Sequence, residues 1–201
     1  MPDWGWCCRL SKRSDRADDV AVGQTLAQLE RLARLMRSAS HIEGLNAAQW
    51  EALRYLSRAN SFSNSPGALT KYLGATKGTT SQTVLSLIKK GAIAKSLRGT
   101  DGRSVVLILT ELGQKMLDLD PLLSLDKAIA KLGDKTSKRF SKGLSELLQI
   151  EANRQGEPSF GNCTGCVHAS KERGEFWCKM LNVNVSSDDA QKLCVYHKPK
   201  N

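Results

Sequence analysis

Four cysteines near the C-terminus are the residues of this chain best suited to hold a metal. They fall within the last 39 residues with the spacing C-x2-C-x11-C-x15-C, at Cys163, Cys166, Cys178 and Cys194. In a reducing compartment, cysteines clustered in this way indicate metal binding rather than disulfides. The segment 160–201 also has few aliphatic residues, so a metal held by four thiolates would supply stability that so small a core lacks.

The spacing also bears on which metal is held. Structural zinc sites usually gather their ligands in two close pairs, whereas only Cys163 and Cys166 form a pair here. Iron–sulfur clusters accept more dispersed cysteines, and the order of a C-x2-C pair followed by two single cysteines resembles that of high-potential iron–sulfur proteins. We predict an iron–sulfur cluster of the 4Fe–4S type, with zinc as the alternative. His168 and His197 are alternative ligands, but four cysteines complete a shell, and both side chains are expected to be exposed.

A second group of polar residues begins a predicted helix. Residues 77–83 read KGTTSQT, and an apolar run containing Val84, Leu85, Leu87 and Ile88 follows before Gly91. Thr76 is a suitable N-cap, and Gly91 is a suitable C′ residue. Ser65 and Pro66 suit the N-cap and the first position of a short helix that precedes it. Such a helix is anchored by its C-terminal half and presents its N-terminal half outward, as a recognition helix does in the DNA major groove.

Two strands follow this helix and form a predicted hairpin. The first covers residues 92–97 and the second covers 104–109, with a basic tip at 98–103 that contains the turn signal Asp101-Gly102. Two short helices followed by a basic hairpin are typical of a winged helix. The candidate DNA contacts are Lys77, Thr79, Thr80, Ser81, Gln82, Thr83, Arg98, Asp101 and Arg103.

These elements carry a family resemblance. Residues 20–153 resemble the MarR family of winged-helix transcription regulators through Leu73-Gly74, Thr76, Asp101-Gly102-Arg103 and the run Leu109-Thr110-Glu111-Leu112-Gly113. The resemblance implies an obligate homodimer that binds a pseudo-palindromic site in double-stranded DNA, usually as a repressor. Gln82 departs from the basic residue that the family often has at this position, so the family's base preference there does not carry over.

Other helices are predicted to support this region. A helix from Asp18 or Asp19 to about Ser40 has an apolar seam that includes Val22, Leu26 and Met36, which the family resemblance places in a dimer interface. Asn46 and Gln49 can form a capping box for the next helix. Thr110 can cap a helix that ends before Pro121. Further helices are expected over 122–132 and 136–152.

Composition and charge restrict the function further. The net charge is +10, and residues 1–154 hold 24 Lys and Arg against 15 Asp and Glu, which suits a polyanionic partner. No apolar run is long enough to cross a membrane, and the N-terminus lacks the apolar core of a signal peptide, so we expect a cytoplasmic protein. No nucleophile or substrate-binding motif is present, and the chain is not expected to be an enzyme.

The predicted architecture is mainly α with a small β-wing. It comprises a disordered tail (1–18) with an incidental Cys7-Cys8 pair, a winged-helix DNA-binding and dimerisation domain (19–153) and a four-cysteine module (154–201). We expect a dimeric regulator whose DNA affinity depends on an iron–sulfur cluster that senses redox state, oxygen or iron. The alternative is a repressor that responds to a small aromatic ligand and has a structural zinc site.

Overall fold

The computed structural model describes residues 13–39, 44–98, 104–172 and 175–200 of the chain, with the backbone alone at 13–19 and at several positions beside the gaps. The chain divides into two compact units, residues 1–39 and 40–201. The first contains helix α1 (Arg13–Ala39). Residues 13–18, which belong to the predicted tail, are part of this helix, and the run contains Arg and Ala but no helix-breaking residue. Cys7 and Cys8 lie outside the described residues.

The predicted apolar seam of α1 is present but not buried. Val22, Leu26 and Leu35 are 68%, 58% and 54% exposed. Leu29 and Met36 are half-buried. A seam of this kind leaves apolar area in water, at a cost of about 25 cal/mol per Å² relative to burial.

The second unit begins with a three-helix arrangement whose helix starts follow the predicted caps. Helix α2 (Ala47–Arg58) has the capping box of Asn46 and Gln49. Ser65 caps α3 (Pro66–Tyr72) and Thr76 caps α4 (Lys77–Lys89). Each cap satisfies a backbone N–H that the first helical turn leaves without a partner.

One hydrophobic core holds these helices together. Trp50, Leu53 and Tyr55 of α2 are fully buried, together with Leu69 of α3 and Leu87 of α4. Gln49, Ala52 and Leu56 are buried as well, so α2 is enclosed over most of its circumference. The core therefore fixes α4 by its C-terminal half.

A two-stranded antiparallel sheet follows α4. Strand β1 (Ile93–Arg98) pairs with β2 (Ser104–Leu109), and the register places Ile93 opposite Leu109. Both strands agree with the predicted hairpin to within one residue. The tip, residues 99–103, lies outside the described part of the chain.

Helix α5 (Glu111–Leu117) follows β2, and its first turn packs closely against the backbone of Ala92. The Thr110 hydroxyl caps it by accepting the Gly113 N–H at 3.0 Å. A Cβ on Gly113 would lie 2.0 Å from the Ala92 carbonyl oxygen, so only glycine fits there. The predicted Leu-Thr-x-x-Gly entry thus has a steric reason.

Two further helices extend beyond Pro121. They are α6 (Leu123–Ala130) and α7 (Asp134–Gln155), and neither has a buried residue. On α7, Phe140, Leu147 and Leu148 are 39%, 47% and 62% exposed. None of the described helices is long and apolar enough to cross a lipid bilayer.

The C-terminal segment contains a small three-stranded antiparallel sheet in the order β3-β4-β5. Its strands are β3 (Ala169–Glu172), β4 (Glu175–Cys178) and β5 (Val183–Val185), and a short 3-10 helix, Cys163–Gly165, precedes them. This segment belongs to the same compact unit as the winged helix. The predicted boundary at 153/154 therefore marks a change in composition but not a separation in space, because apolar side chains from each side enter the other's core.

Candidate nucleic-acid interface and cysteine cluster

The first turns of α4 present polar side chains outward, as predicted. The Thr76 hydroxyl accepts the Thr79 backbone N–H at 3.1 Å and lies 3.0 Å from the Thr79 hydroxyl. The side chains that are exposed in this part of the helix are those of Lys77, Thr79, Ser81 and Gln82. They offer a cation, hydroxyls and an amide beside a helix N-terminus, where backbone N–H groups favour anions.

Thr80 and Thr83 are placed differently from the prediction. They are only 2% and 8% exposed, so the predicted outward presentation is wrong for these two residues. Thr80 lies four residues before Val84 and Thr83 lies four residues before Leu87, and the 3.6-residue period puts all four on the buried face. The Thr83 hydroxyl donates to the Thr79 carbonyl at 3.2 Å.

Leu85 departs from the predicted apolar face in the opposite sense. It is 49% exposed, because it lies on the same side of α4 as Ser81 and Gln82. A polar contact that the sequence did not indicate anchors the helix instead. The Gln49 side-chain amide of α2 donates to the Ser86 hydroxyl at 2.8 Å.

Most of the predicted wing contacts fall outside the described part of the chain. Asp101 and Arg103 are outside the described residues, and the side chain of Arg98 at the end of β1 is not described either. Three lysines of the described elements have exposed side chains. Lys95 of β1 and Lys71 of α3 are exposed, as is Lys77, and their charges add to the attraction for a polyanion.

The four C-terminal cysteines are all buried, and none forms a disulfide. Cys163, Cys166, Cys178 and Cys194 are between 7% and 9% exposed. The backbone brings them together from four places. Cys163 starts the 3-10 helix and Cys166 follows it. Cys178 ends β4, and the Cys194 N–H donates to the Gly161 carbonyl at 2.9 Å.

The thiols also influence one another. The pKa of Cys163 is raised to about 11, mainly by burial and in part by the charges of Cys194, Cys166 and Cys178. Among the described residues, however, no three His, Cys, Asp or Glu side chains form a group that could hold one metal ion. The fold thus collects four sulfur donors without bringing them to a common point.

The two histidines near the cysteines are half-buried rather than exposed as predicted. His197 Nδ1 lies 2.6 Å from the Ser159 hydroxyl, and burial lowers the pKa of its imidazole. A Cβ on Gly161 would approach the His197 ring to 2.5 Å. The ring therefore packs on the backbone just before the C-x2-C pair.

An aromatic contact that the sequence did not reveal joins the cysteine segment to the winged helix. The ring of Phe160 meets Tyr55 of α2 and Tyr72 of α3 edge-on, with centroids 6.0 and 5.1 Å apart. Burial raises the pKa of the Tyr55 hydroxyl above its usual range. The sequence by itself shows only an aromatic residue three positions before the first cysteine.

Comparisons with known proteins agree with this geometry. The MarR family model matches residues 43–104. No curated protein matches the chain. Among solved structures, a MarR transcriptional regulator from Methanosarcina mazei Go1 is 20% identical, with a TM-score of 0.52, over 66% of this chain and 96% of its own.

Two other structures are similar. A MarR family transcriptional regulator from Silicibacter pomeroyi is 21% identical, with a TM-score of 0.53, over 76% of this chain and 98% of its own. MepR of S. aureus, in a DNA-binding conformation, is 16% identical, with a TM-score of 0.55, over 63% of this chain and 97% of its own. The chain thus has the winged-helix fold of these MarR transcription regulators.

Proposed function

We propose that the chain is a cytoplasmic transcription regulator, a repressor in its simplest mode, that binds double-stranded DNA as a homodimer. The observation that carries the proposal is the N-terminal half of α4. Its exposed Lys77, Ser81 and Gln82 stand on a helix whose other face is locked into the winged-helix core. Side chains of these types bind phosphates and base edges in the major groove.

The comparisons support this proposal. The MarR family model covers the segment from the start of α2 to the wing. The similar MepR structure is in a DNA-binding conformation. A net charge of +10 per chain, doubled in a dimer, would draw the protein to DNA and make its affinity depend on salt.

The homodimer rests on exposed apolar faces. Leu26 and Leu35 of α1 and Leu147 and Leu148 of α7 are each about half exposed or more. Apolar faces of this extent on two helices are typical of an interface. Two recognition helices related by a twofold axis would fit a pseudo-palindromic site.

Selection from a random-sequence duplex library tests DNA binding directly. We expect the selected sites to contain an inverted repeat with half-sites about one helical turn apart. Their affinity should fall steeply between low and moderate salt, by the counterion release that six or more phosphate contacts produce, roughly 1000-fold between 50 and 200 mM. Equal binding to every duplex at every salt concentration would contradict the proposal.

We further propose that the four cysteines bind an iron–sulfur cluster and that its presence alters the affinity for DNA. The donor set fits, since four buried thiols lie close together and none is spent in a disulfide. A single zinc ion needs all four sulfurs about 2.3 Å from one point. A 4Fe–4S cluster places each thiolate on a different iron and accepts more dispersed cysteines, which agrees with the spacing C-x2-C-x11-C-x15-C.

When bound, the cluster would supply a redox-sensitive or iron-sensitive group. This chain's residues would shield it. Phe176, Val185 and Ala190 form the buried apolar core around Cys163 and Cys178. Because a signal can shift an equilibrium only through differential binding, the loaded and unloaded dimers must differ in affinity by roughly 5–150-fold.

Isolation without oxygen tests this second proposal. The expected protein is brown, with stoichiometric iron and sulfide, and Cys178→Ala should lose both. Cys7→Ala and Cys8→Ala serve as controls and should retain them. Titration of one operator with the loaded wild type and with Cys178→Ala, at one salt concentration, should give different affinities. Equal affinities would refute the sensor.

A cleft favours one alternative function, a repressor that responds to a small aromatic ligand and has a structural zinc site. The cleft has a volume of about 770 Å³ and lies between α2, α3, α7 and the cysteine segment. Tyr72 and Phe160 line it, and Arg58 and Lys71 add cations. Colourless protein with one zinc per chain, whose operator affinity falls when an aromatic acid is added, would favour this alternative.

A further inference from the structure

The connection between α2 and α3, residues 59–64, is bonded directly to the cysteine segment. The Asn60 N–H donates to the Leu193 carbonyl at 2.9 Å, and the Leu193 N–H donates to the Arg58 carbonyl at 2.8 Å. The Val195 N–H donates to the Ser63 hydroxyl at 2.9 Å. Leu193 and Val195 are the neighbours of Cys194 in the sequence. The cysteine segment is therefore bonded to the α2–α3 connection on both sides of Cys194.

Apolar side chains interlock across the same junction. Phe62, from the α2–α3 connection, packs against the core formed by Cys163, Phe176 and Cys178. In return, Leu193 and Val195 pack against the core of the winged helix. A displacement of the cysteine core would therefore open contacts in both clusters, and close-packed interiors transmit such shifts.

The other side of the connection leads to the DNA-binding elements. The Ser63 carbonyl accepts the Tyr55 hydroxyl at 2.6 Å. The Asn64 carbonyl accepts the Leu107 N–H of wing strand β2 at 2.7 Å. The next residue, Ser65, caps α3, which leads through one turn to α4. One short segment thus contacts the cysteine core, the wing and the recognition helix-turn-helix.

We propose that Ser63 is a positioning residue that transmits the state of the cysteine centre at Cys194 to the wing and the recognition helix. This inference rests on the proposed function and specifies its route. The route is short, because it passes through the α2–α3 connection within one chain and does not require the linker and α7 to move. Ser63 is fully buried, and its hydroxyl and carbonyl face opposite partners, Val195 and Tyr55.

The test compares Ser63→Ala with Ser186→Ala. Each change removes a serine hydroxyl that accepts a backbone N–H of the cysteine segment, from Val195 and Asp189 respectively. Only Ser63 lies on the winged-helix side of the junction. Iron content and absorption of the full-length variants, measured without oxygen, show whether each retains its centre.

Amide hydrogen exchange is the first readout. Removing the metal from the wild type with a chelator should accelerate exchange at Leu107 and across residues 59–64 by roughly fivefold or more, about the factor that one net hydrogen bond supplies. Ser186→Ala should show the same response. In Ser63→Ala the response at Leu107 should vanish. An unchanged response in Ser63→Ala, or none in the wild type, would overturn the inference.

Operator affinity is the second readout. The ratio of loaded to metal-free affinity should fall toward one in Ser63→Ala and persist in Ser186→Ala. A wild type whose Leu107 amide responds but whose two affinities are equal would contradict the sensor and leave the route standing. If the isolated protein carries no metal, the proposal of a cluster is refuted. Cys194→Ala then replaces metal removal in the exchange measurement. Faster exchange at Leu107 that depends on Ser63 would support the route, and no change at Leu107 would overturn it.

Discussion

At the scale of single residues, a variant of Thr80 can show whether this residue belongs to the core or contacts DNA. Its hydroxyl is buried and, among the described residues, has no hydrogen-bond partner. An unsatisfied buried hydroxyl costs about 1–3 kcal/mol, so a residue of the same shape without it should be better tolerated. We predict that Thr80→Val increases the free energy of unfolding by about 1 kcal/mol in denaturant titrations and leaves operator affinity unchanged.

Thr83→Val is the matched control for this prediction. The Thr83 hydroxyl is also buried, but it donates to the Thr79 carbonyl at 3.2 Å. Its removal should not stabilise the protein. A loss of operator affinity in Thr80→Val would mean that Thr80 contacts DNA after all.

Gln82 is the exposed residue of α4 best suited to read a base. A glutamine amide pairs with both hydrogen-bonding groups of adenine in the major groove, and a good pair of this kind discriminates by about 1–3 kcal/mol. We predict that Gln82→Ala relaxes the preference at one base pair per half-site by this amount. Competition between operators that carry each of the four bases at every position would measure it.

Gln114→Ala provides the control for Gln82, because it removes another exposed glutamine from a helix outside the recognition region. Base preferences should be the same as in the wild type. Identical preferences in Gln82→Ala would show that this side chain does not read the sequence.

At the scale of elements, one ion pair ties α2 to the turn between α5 and α6. Arg54 Nη1 lies 2.9 Å from Asp120 Oδ1, and the two side chains are 16% and 9% exposed. The Asp120 carboxylate also accepts the Leu122 N–H at 2.9 Å. Arg54→Met would leave a buried charge without its partner, and we predict a loss of about 3 kcal/mol in unfolding free energy.

The exposed pair between Glu111 and Lys115 on α5 is the comparison for Arg54. These side chains are 85% and 68% exposed, and their charges lie 2.9 Å apart. An exposed pair contributes little, so Lys115→Met should change stability by less than about 0.5 kcal/mol. Equal effects of the two variants would contradict the structural role assigned to Arg54 and Asp120.

At the scale of the whole molecule, the exposed apolar faces predict a dimer. Sedimentation at micromolar concentration should give about twice the chain mass of 22.0 kDa. We predict that Leu147→Glu on the apolar face of α7 shifts the protein to monomer, because it would bury a charge in the interface. Operator affinity should fall with it, since two half-sites could no longer be bound together.

Asn153→Glu controls for the added charge on the same helix. Asn153 is exposed and lies on the side of α7 away from Leu147 and Leu148. This variant should sediment as the wild type does. A wild type that sediments as a monomer would contradict the dimer and, with it, the prediction of a palindromic site.

Local sequence determined the winged helix almost completely. The caps Asn46, Ser65, Thr76 and Thr110 accept the backbone N–H groups predicted for them, and Gly91 has the positive φ of a helix C′ residue. These features depend on residues within a few positions of one another. Hydrogen-bonding caps and helix periodicity act over that range, so the sequence is sufficient for them.

Tertiary structure decided which polar residues are presented and what the cysteine segment touches. Thr80 and Thr83 look like surface residues in a run of hydroxyls, but the orientation of α4 on Leu53 and Leu69 turns them inward. The junction between Ser63 and Val195 joins residues 132 positions apart. No local pattern encodes such a contact, because it arises from the burial of apolar side chains that meet only when the chain has folded.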